Sequence, residues 1–347
     1  QKEVRQRLSK ATTELDEGIY HEPCKLLVRD WMDTYLKTYA KRSVKDSTFG
    51  LYQSYTDQHI NPGVGNYRLE ALTTPILQDF YNNMSDEDGL SAKTVKNIHG
   101  VLHTALRQAV KLGMLRFNPT ENCDLPKIVR KEMRPLEGAQ IADFLHVIQG
   151  TRYEWIDTIC MFTGLRQGEI LGLTWDCVDF KRNILTINKQ LQKKRCKGGK
   201  YRLVPTKNSR IRVIKVAFSV MDILRRRKTE QAEVQLLAGQ SWSNPDHLVF
   251  TDELGGTLSA KSVYREFKNA VSKIGLDETR FHDLRHTFAV ASIQNGDDIK
   301  TVQSNLGHAT AAFTLDVYGH MTQTMRDHSA DRMEQFIQQV STHKGSK

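Results

Sequence analysis

FHDLRHTFAVASIQNGDDIKTVQSNLGHATAAFTLDVYGH, residues 281–320, reads as three short helical blocks separated by glycine stops. In the first block His282 and Arg285 stand three residues apart and His282 and His286 four apart, so the three share one side of a helix whose other face is Leu284, Phe288 and Ala291. Gly296 ends that block. Either Asp297 or Asp298 caps the next, which runs through Ile299, Val302 and Leu306 and closes at Gly307. His308 follows the stop directly, and Thr310 caps a third block, Ala311 to Val317, that brings Tyr318 to its end. Polar groups suited to phosphate or proton chemistry thus recur at element ends, which is a site pattern more than a packing pattern.

Upstream, apolar spacing predicts one helix carrying Ile141, Phe144, Leu145 and Ile148 and another carrying Trp155, Ile156, Ile159, Cys160 and Phe162 as far as Gly164. Arg166 comes just after, and a further helix continues through Glu169, Ile170, Leu171 and Leu173. An arginine at the mouth of a helix directs its guanidinium and the N-terminal amides at an anion; a salt bridge to Glu169 is the alternative use. The period then drops to two over Val178–Ile187 and Tyr201–Ile214, predicting short antiparallel strands joined at Gly198-Gly199. Lys207 falls in the turn-like Pro205–Ser209. Helices around Val220–Gln235 and Ser262–Ile274, a strand at Leu248–Thr251 and an apolar stripe of Met333, Phe336, Ile337 and Val340 on a terminal helix complete this part.

Pro23 to Pro126 reads as helical throughout. One block carries Leu26, Leu27, Trp31, Tyr35 and Leu36; a second, with Ser47 as its cap, carries Tyr52 and Ile60 and stops at Asn61-Pro62-Gly63. Ile76, Leu77, Phe80 and Tyr81 form a third. Ser91 to Thr94 open a fourth, striped by Val95, Ile98, Leu102, Ala105, Leu106 and Ala109. The proline-punctuated segment that follows reads as a linker. The expected organisation is an extension over 1–20, a helical unit over 21–124, a linker over 125–135 and a second unit over 136–347 with a docking helix near 329–341.

The formal charge is +10, from Lys+Arg 50 against Asp+Glu 40. Lys189, Lys193, Lys194, Arg195, Lys197, Lys200, Arg202, Lys207, Arg210, Arg212 and Lys215 fall in one stretch without an acid, so the basicity is a patch suited to a polyanion. Lys93 and Lys96 add two cations that can face phosphates. The five cysteines show no paired short spacing, which argues against a disulfide framework or zinc ribbon and suits a reducing cytoplasm. No run approaches the roughly 18 apolar residues of a membrane span, and no signal peptide is evident.

His282-x-x-Arg285, Leu306-Gly307-His308 and Tyr318-Gly-His resemble the C-terminal signature of tyrosine recombinases, the phage-type integrases. TGLRQGEILGL, residues 163–173, resembles the family's first arginine motif, and PTKNSRIRV, residues 205–213, its lysine hairpin. The look is closest to integrases of conjugative transposons, and the resemblance covers roughly Pro23 to Val340. It implies a mainly α fold with a small antiparallel sheet, in two domains that clamp DNA. It also implies catalytic roles for Arg166, Lys207, His282, Arg285, His308 and Tyr318. The arginines and His308 would hold the phosphate oxygens, Tyr318 would attack, His282 would accept its proton, Lys207 would protonate the leaving 5′ oxygen, and Glu169 would orient Arg166 or the adjoining helix. Asn208 stands where the family usually has threonine, and Lys194, Lys197 or Lys200 compete for the lysine role. Lys193, Lys194, Arg195, Lys197, Lys200, Arg202, Arg210, Arg212, Lys93 and Lys96 are the expected DNA contacts. No metal and no cofactor is expected.

The same resemblance predicts recombination of double-stranded DNA for integration and excision of a mobile element, with a homo-tetramer joined through the C-terminal helix. An excisionase or DNA-bending accessory protein, a bacterial cytoplasmic site near the nucleoid and an upstream arm-binding domain, suggested by the start at Gln1, complete the expectation. Three rival readings compete: a zinc hydrolase using His282 and His286, a non-catalytic DNA-binding protein of this fold, and a type IB topoisomerase. The first lacks the HExxH glutamate and sets Arg285 against a metal.

Overall fold

The computed structural model describes residues 5, 25–129, 134–193, 199–206, 211–307, 333–334 and 337–338, and its principal division falls between Arg130 and Lys131. In the first unit the three-and-four spacing of apolar residues produces helices. α1 (Val28–Tyr35) continues through a wide turn at Leu36–Ala40 into Lys41–Ser43, and α2 (Asp46–Tyr55) through another at Thr56–Ile60 into Asn61–Val64. α3 spans Thr74–Asp86 and α4 Ala92–Lys111.

The expected stop at Asn61-Pro62-Gly63 does not occur. The Asn61 N–H reaches back to Thr56 O, five residues away, so the turn has already widened where Pro62 brings no N–H. Ser47 does not cap α2 either, because the helix begins at Asp46 with Lys45 at its N-cap, two residues earlier than a Ser47 cap would set it. Ser91 does cap α4, accepting the Thr94 N–H at 3.2 Å. The stripe Val95, Ile98, Leu102, Ala105, Leu106 and Ala109 is fully buried, and the Trp31 indole N–H crosses from α1 to Ala105 O at 3.0 Å.

The second unit runs α5 (Ala139–Ile148), α6 (Glu154–Thr163), α7 (Gln167–Leu171), β1 (Val178–Asp179), β2 (Ile184–Ile187), β3 (Lys189–Lys193), β4 (Tyr201–Pro205), β5 (Arg212–Lys215), α8 (Phe218–Ala238), α9 (Ala260–Lys273), α10 (Asp283–Gln294) and α11 (Ile299–Leu306). Its strands form two antiparallel sheets, β1-β2-β5 and β3-β4. β2 pairs β5 from Ile184↔Lys215 to Ile187↔Arg212, which sets buried Leu185 opposite buried Ile214. Tyr201–Pro205 pairs with Lys189–Lys193, a strand that sequence reading missed because only Leu191 of its residues is buried. The expected strand at Leu248–Thr251 is a pair of isolated bridges, Thr174↔Leu248 and Thr251↔Thr257. Leu248, Val249 and Phe250 are all buried, so they fill the core in succession without a ladder of their own.

The core of this unit gathers Phe144, Ile159, Ile170, Leu224, Phe267 and Leu284 from the helices with Leu185 and Ile214 from the three-stranded sheet. A smaller cluster of Ala289, Val290, Ile293, Val302 and Leu306 joins α10 to α11. The fold is therefore mainly α with small antiparallel sheets. The block Ala311–Val317 and most of the docking helix near 329–341 lie outside the described residues. Among the described residues no helix is long and apolar enough to cross a membrane.

Candidate active site

α6 ends at Gly164 with φ +65°, and a Cβ there would meet Leu306 Cδ2 at 2.5 Å and Phe288 Cδ1 at 2.7 Å. Glycine alone lets α6 stop this close to α10 and α11. The consequence is that two helix C-termini converge on Arg285, whose Nη1 donates to Gly164 O at 2.6 Å and whose Nη2 donates to Leu306 O. Carbonyls at such ends lack intrahelical partners and carry the negative end of the helix dipole, so a guanidinium satisfies both needs.

Arg285 is consequently only 1 % exposed, with His286 buried beside it. His282 is the N-cap residue of α10, with helical backbone angles, and stays exposed while Arg285 and His286 on the same side are buried. The rings of His282 and His286 meet edge to face with centroids 5.1 Å apart. Desolvation, then the charges of Arg285 and Arg166, lower the His282 pKa to about 4, which leaves it neutral near pH 7. His286 is lowered to about 4 as well, by burial and then by His282.

The start of α10 is fixed by groups that sequence reading passed over. Buried Asp283 accepts the Arg280 backbone N–H at 2.8 Å and its Nη2 at 2.8 Å. Thr287 Oγ1 donates to Asp283 O at 3.0 Å and accepts the Leu136 N–H at 2.9 Å. The i,i+3 spacing of Arg280 and Asp283 was the available signal for the first pair. Nothing in the sequence announced the second, whose partners are 151 positions apart.

Arg166 stands at the N-cap of α7, and Glu169 at its third position reaches back to the Arg166 N–H at 2.9 Å, closing a capping-box contact. Glu169 also accepts Arg166 Nη1 at 2.7 Å, so the salt-bridged reading of this arginine is the one the structure shows. Arg212, expected among the DNA contacts, is engaged here instead. Its Nη1 and Nη2 bind the two Glu169 oxygens at 2.9 and 2.6 Å, and its side chain is 9 % exposed. Burial pushes the Glu169 carboxyl up, but the Arg212 hydrogen bonds and charge, followed by Arg166, pull it down to about 2.

The structure thus brings Arg166, Glu169, His282 and Arg285 into one electrostatic neighbourhood. Lys207, His308 and Tyr318 lie outside the described residues, as do Lys194, Arg195, Lys197 and Arg210. Lys193 ends β3 exposed, with its ammonium 5.9 Å from the Tyr201 ring centroid, and Lys200 and Arg202 are exposed near it. On α4, Lys93 is exposed and Lys96 half-buried. Among the described residues no group of three His, Cys, Asp or Glu side chains is placed to hold a metal ion.

Residues 132–325 match the model of the phage integrase family, and residues 27–85 match that of its N-terminal SAM-like domain. A tyrosine recombinase XerC-like protein of Caldanaerobacter subterraneus subsp. tengcongensis is 29% identical over 324 residues, covering 88% of this chain and 82% of the relative. The ICEBs1 integrase of Bacillus subtilis (strain 168) is 26% identical over 310 residues, covering 88% and 83%. In fold, the chain resembles the Tn1549 transposon integrase solved with a circular intermediate DNA, at a TM-score of 0.73 and 22% identity, covering 89% of this chain and 99% of that one. The chain belongs to the phage integrase family, the tyrosine recombinases, whose enzymes carry out the site-specific DNA recombination that integrates and excises mobile elements.

Proposed function

We propose that this recombinase cleaves and rejoins double-stranded DNA through a 3′-phosphotyrosine formed by Tyr318. The observation that carries the reading is the meeting of Arg166 at the start of α7 with His282 and Arg285 at the start of α10, close enough for both guanidiniums to lower the His282 pKa. A scissile phosphate gains charge on its equatorial oxygens during attack, and the preorganised Arg166 and Arg285 offset that charge without moving. His308 adds a hydrogen bond. Neutral His282 accepts the phenol proton as Tyr318 Oη bonds to phosphorus, and Lys207 protonates the departing 5′ oxygen. The phosphate ester is exchanged rather than hydrolysed, so rejoining to another 5′ hydroxyl reverses the step with no nucleotide cofactor.

In the same proposal Glu169 holds Arg166, and Lys193, Lys200, Arg202, Lys93 and Lys96 contact the duplex together with Lys194, Arg195, Lys197 and Arg210. The helical unit over 21–124 and the catalytic unit from 136 onward close on DNA across the 125–135 linker. Four copies assemble through the terminal helix, an excisionase or DNA-bending protein assists, and the enzyme works at the nucleoid.

The test incubates the parent and Tyr318→Phe with a nicked duplex carrying a core site, in EDTA, and resolves the products on a denaturing gel. Protein-linked DNA for the parent and none for the variant is the expected result. Site binding without adduct from either protein would overturn the catalytic assignment, and cleavage that requires added metal would overturn the mechanism.

A further inference from the structure

Arg212 makes a set of contacts that a DNA-binding residue has no reason to make. Besides its two bonds to Glu169, its Nε donates to Asn305 O at 3.0 Å. Asn305 and Leu306 are the last residues of α11, and their carbonyls are held in succession by two different arginines, Asn305 O by Arg212 and Leu306 O by Arg285. Gly307 then leaves the helix with φ +64°, and a Cβ on it would lie 3.1 Å from Arg212 Cδ. The Arg212 side chain therefore lies flat beneath the helix end.

On its other side Arg212 shares Glu169 with Arg166. Each of these two arginines donates to Glu169 Oε1, at 2.9 and 2.7 Å, while Oε2 takes Arg212 Nη2 and the Arg166 backbone N–H. Glu169 is 1 % exposed and the Arg212 side chain 9 %, so water is in no position to replace either partner of that pair. One guanidinium thereby ties the carboxylate that aims Arg166 to the helix end that seats Arg285.

We propose that Arg212 is a positioning residue: it sets the separation and plane of Arg166 and Arg285, the pair that receives the scissile phosphate, without touching DNA itself. This rests on the phosphate-binding roles assigned above. Only arginine can do it, since the task needs three N–H groups in one plane and a lysine ammonium has no such fork. A displacement of about 1 Å at a reacting centre costs on the order of 10²-fold in rate.

The test measures single-turnover adduct formation and core-site binding for the parent, Arg212→Lys and Arg166→Ala. It uses duplexes whose scissile phosphate, located from the parent adduct, is either natural or a methylphosphonate with one anionic oxygen fewer. Arg212→Lys is expected to bind with unchanged affinity and salt dependence and to cleave the natural duplex about 10²-fold more slowly. That loss should contract on the methylphosphonate together with the loss of Arg166→Ala, because the charge both variants fail to meet has been removed. A merely destabilised protein would lose the same factor on both duplexes, and a DNA-contact residue would change affinity and salt dependence; either result overturns the proposal. Should Arg212→Lys fail to fold, the double variant Arg212→Gln/Glu169→Gln removes both buried charges and is held to the same contraction. A parent that forms no adduct would sink the catalytic reading beneath this one, whereas an active parent matched by Arg212→Lys sinks this one alone.

Discussion

At the scale of single residues, the site is a set of groups whose usual behaviour has been changed by their neighbours. His282 and His286 are each lowered to about 4, while in an unfolded chain they titrate near 6.5. Between those values the unfolded chain binds more protons than the folded one, so stability is complete above about pH 6.5 and falls as pH drops toward 4. Melting temperature followed from pH 7.5 to 4.5 should decline for the parent, and His282→Gln/His286→Gln should flatten that decline; parallel curves would contradict the assignment. The cleavage rate should show no loss of activity near pH 6.5 from His282, since the ring is still neutral there. That His282 and Arg285 would lie together at one helix start was readable from their spacing. That Arg285 would be buried on two carbonyls was not, because those carbonyls belong to residues 121 and 21 positions away.

Among the elements, the ends matter more than the middles. α6, α10 and α11 meet where α6 stops at Gly164, and the stop is possible only because no side chain projects into Leu306 and Phe288. Gly164→Ala adds both a left-handed non-glycine residue and an overpacked contact, so it should cost about 2–4 kcal/mol in a denaturant melt. A loss below 1 kcal/mol would show that the contact relaxes freely. Helix positions and most glycine stops were legible because burial of one face enforces a period that survives in the sequence. β3 was illegible for the complementary reason: with Leu191 alone buried, its lysines and glutamines carry no alternation. Pro62 misled because a wide turn had already altered the hydrogen-bond pattern upstream of it.

For the whole molecule the governing quantity is the distribution of charge. The patch from Lys189 to Lys215 separates on folding into cations that remain exposed, such as Lys193 and Lys200, and Arg212, which is buried on an acid. Lys200→Ala should weaken DNA binding evenly across sequences and reduce the slope of log affinity against log salt by about 1, as a lost phosphate contact does. An unchanged slope would remove Lys200 from the interface. By itself, the sequence determined the family, the order of its motifs, the helical first unit and the existence of a basic patch, because each of these is written in local spacing or composition. Only the tertiary structure decided which cations face outward and which hold the framework. That choice depends on what is packed around each charge: Arg212 finds Glu169 at 43 positions' distance and Asn305 at 93, and no local pattern encodes either meeting.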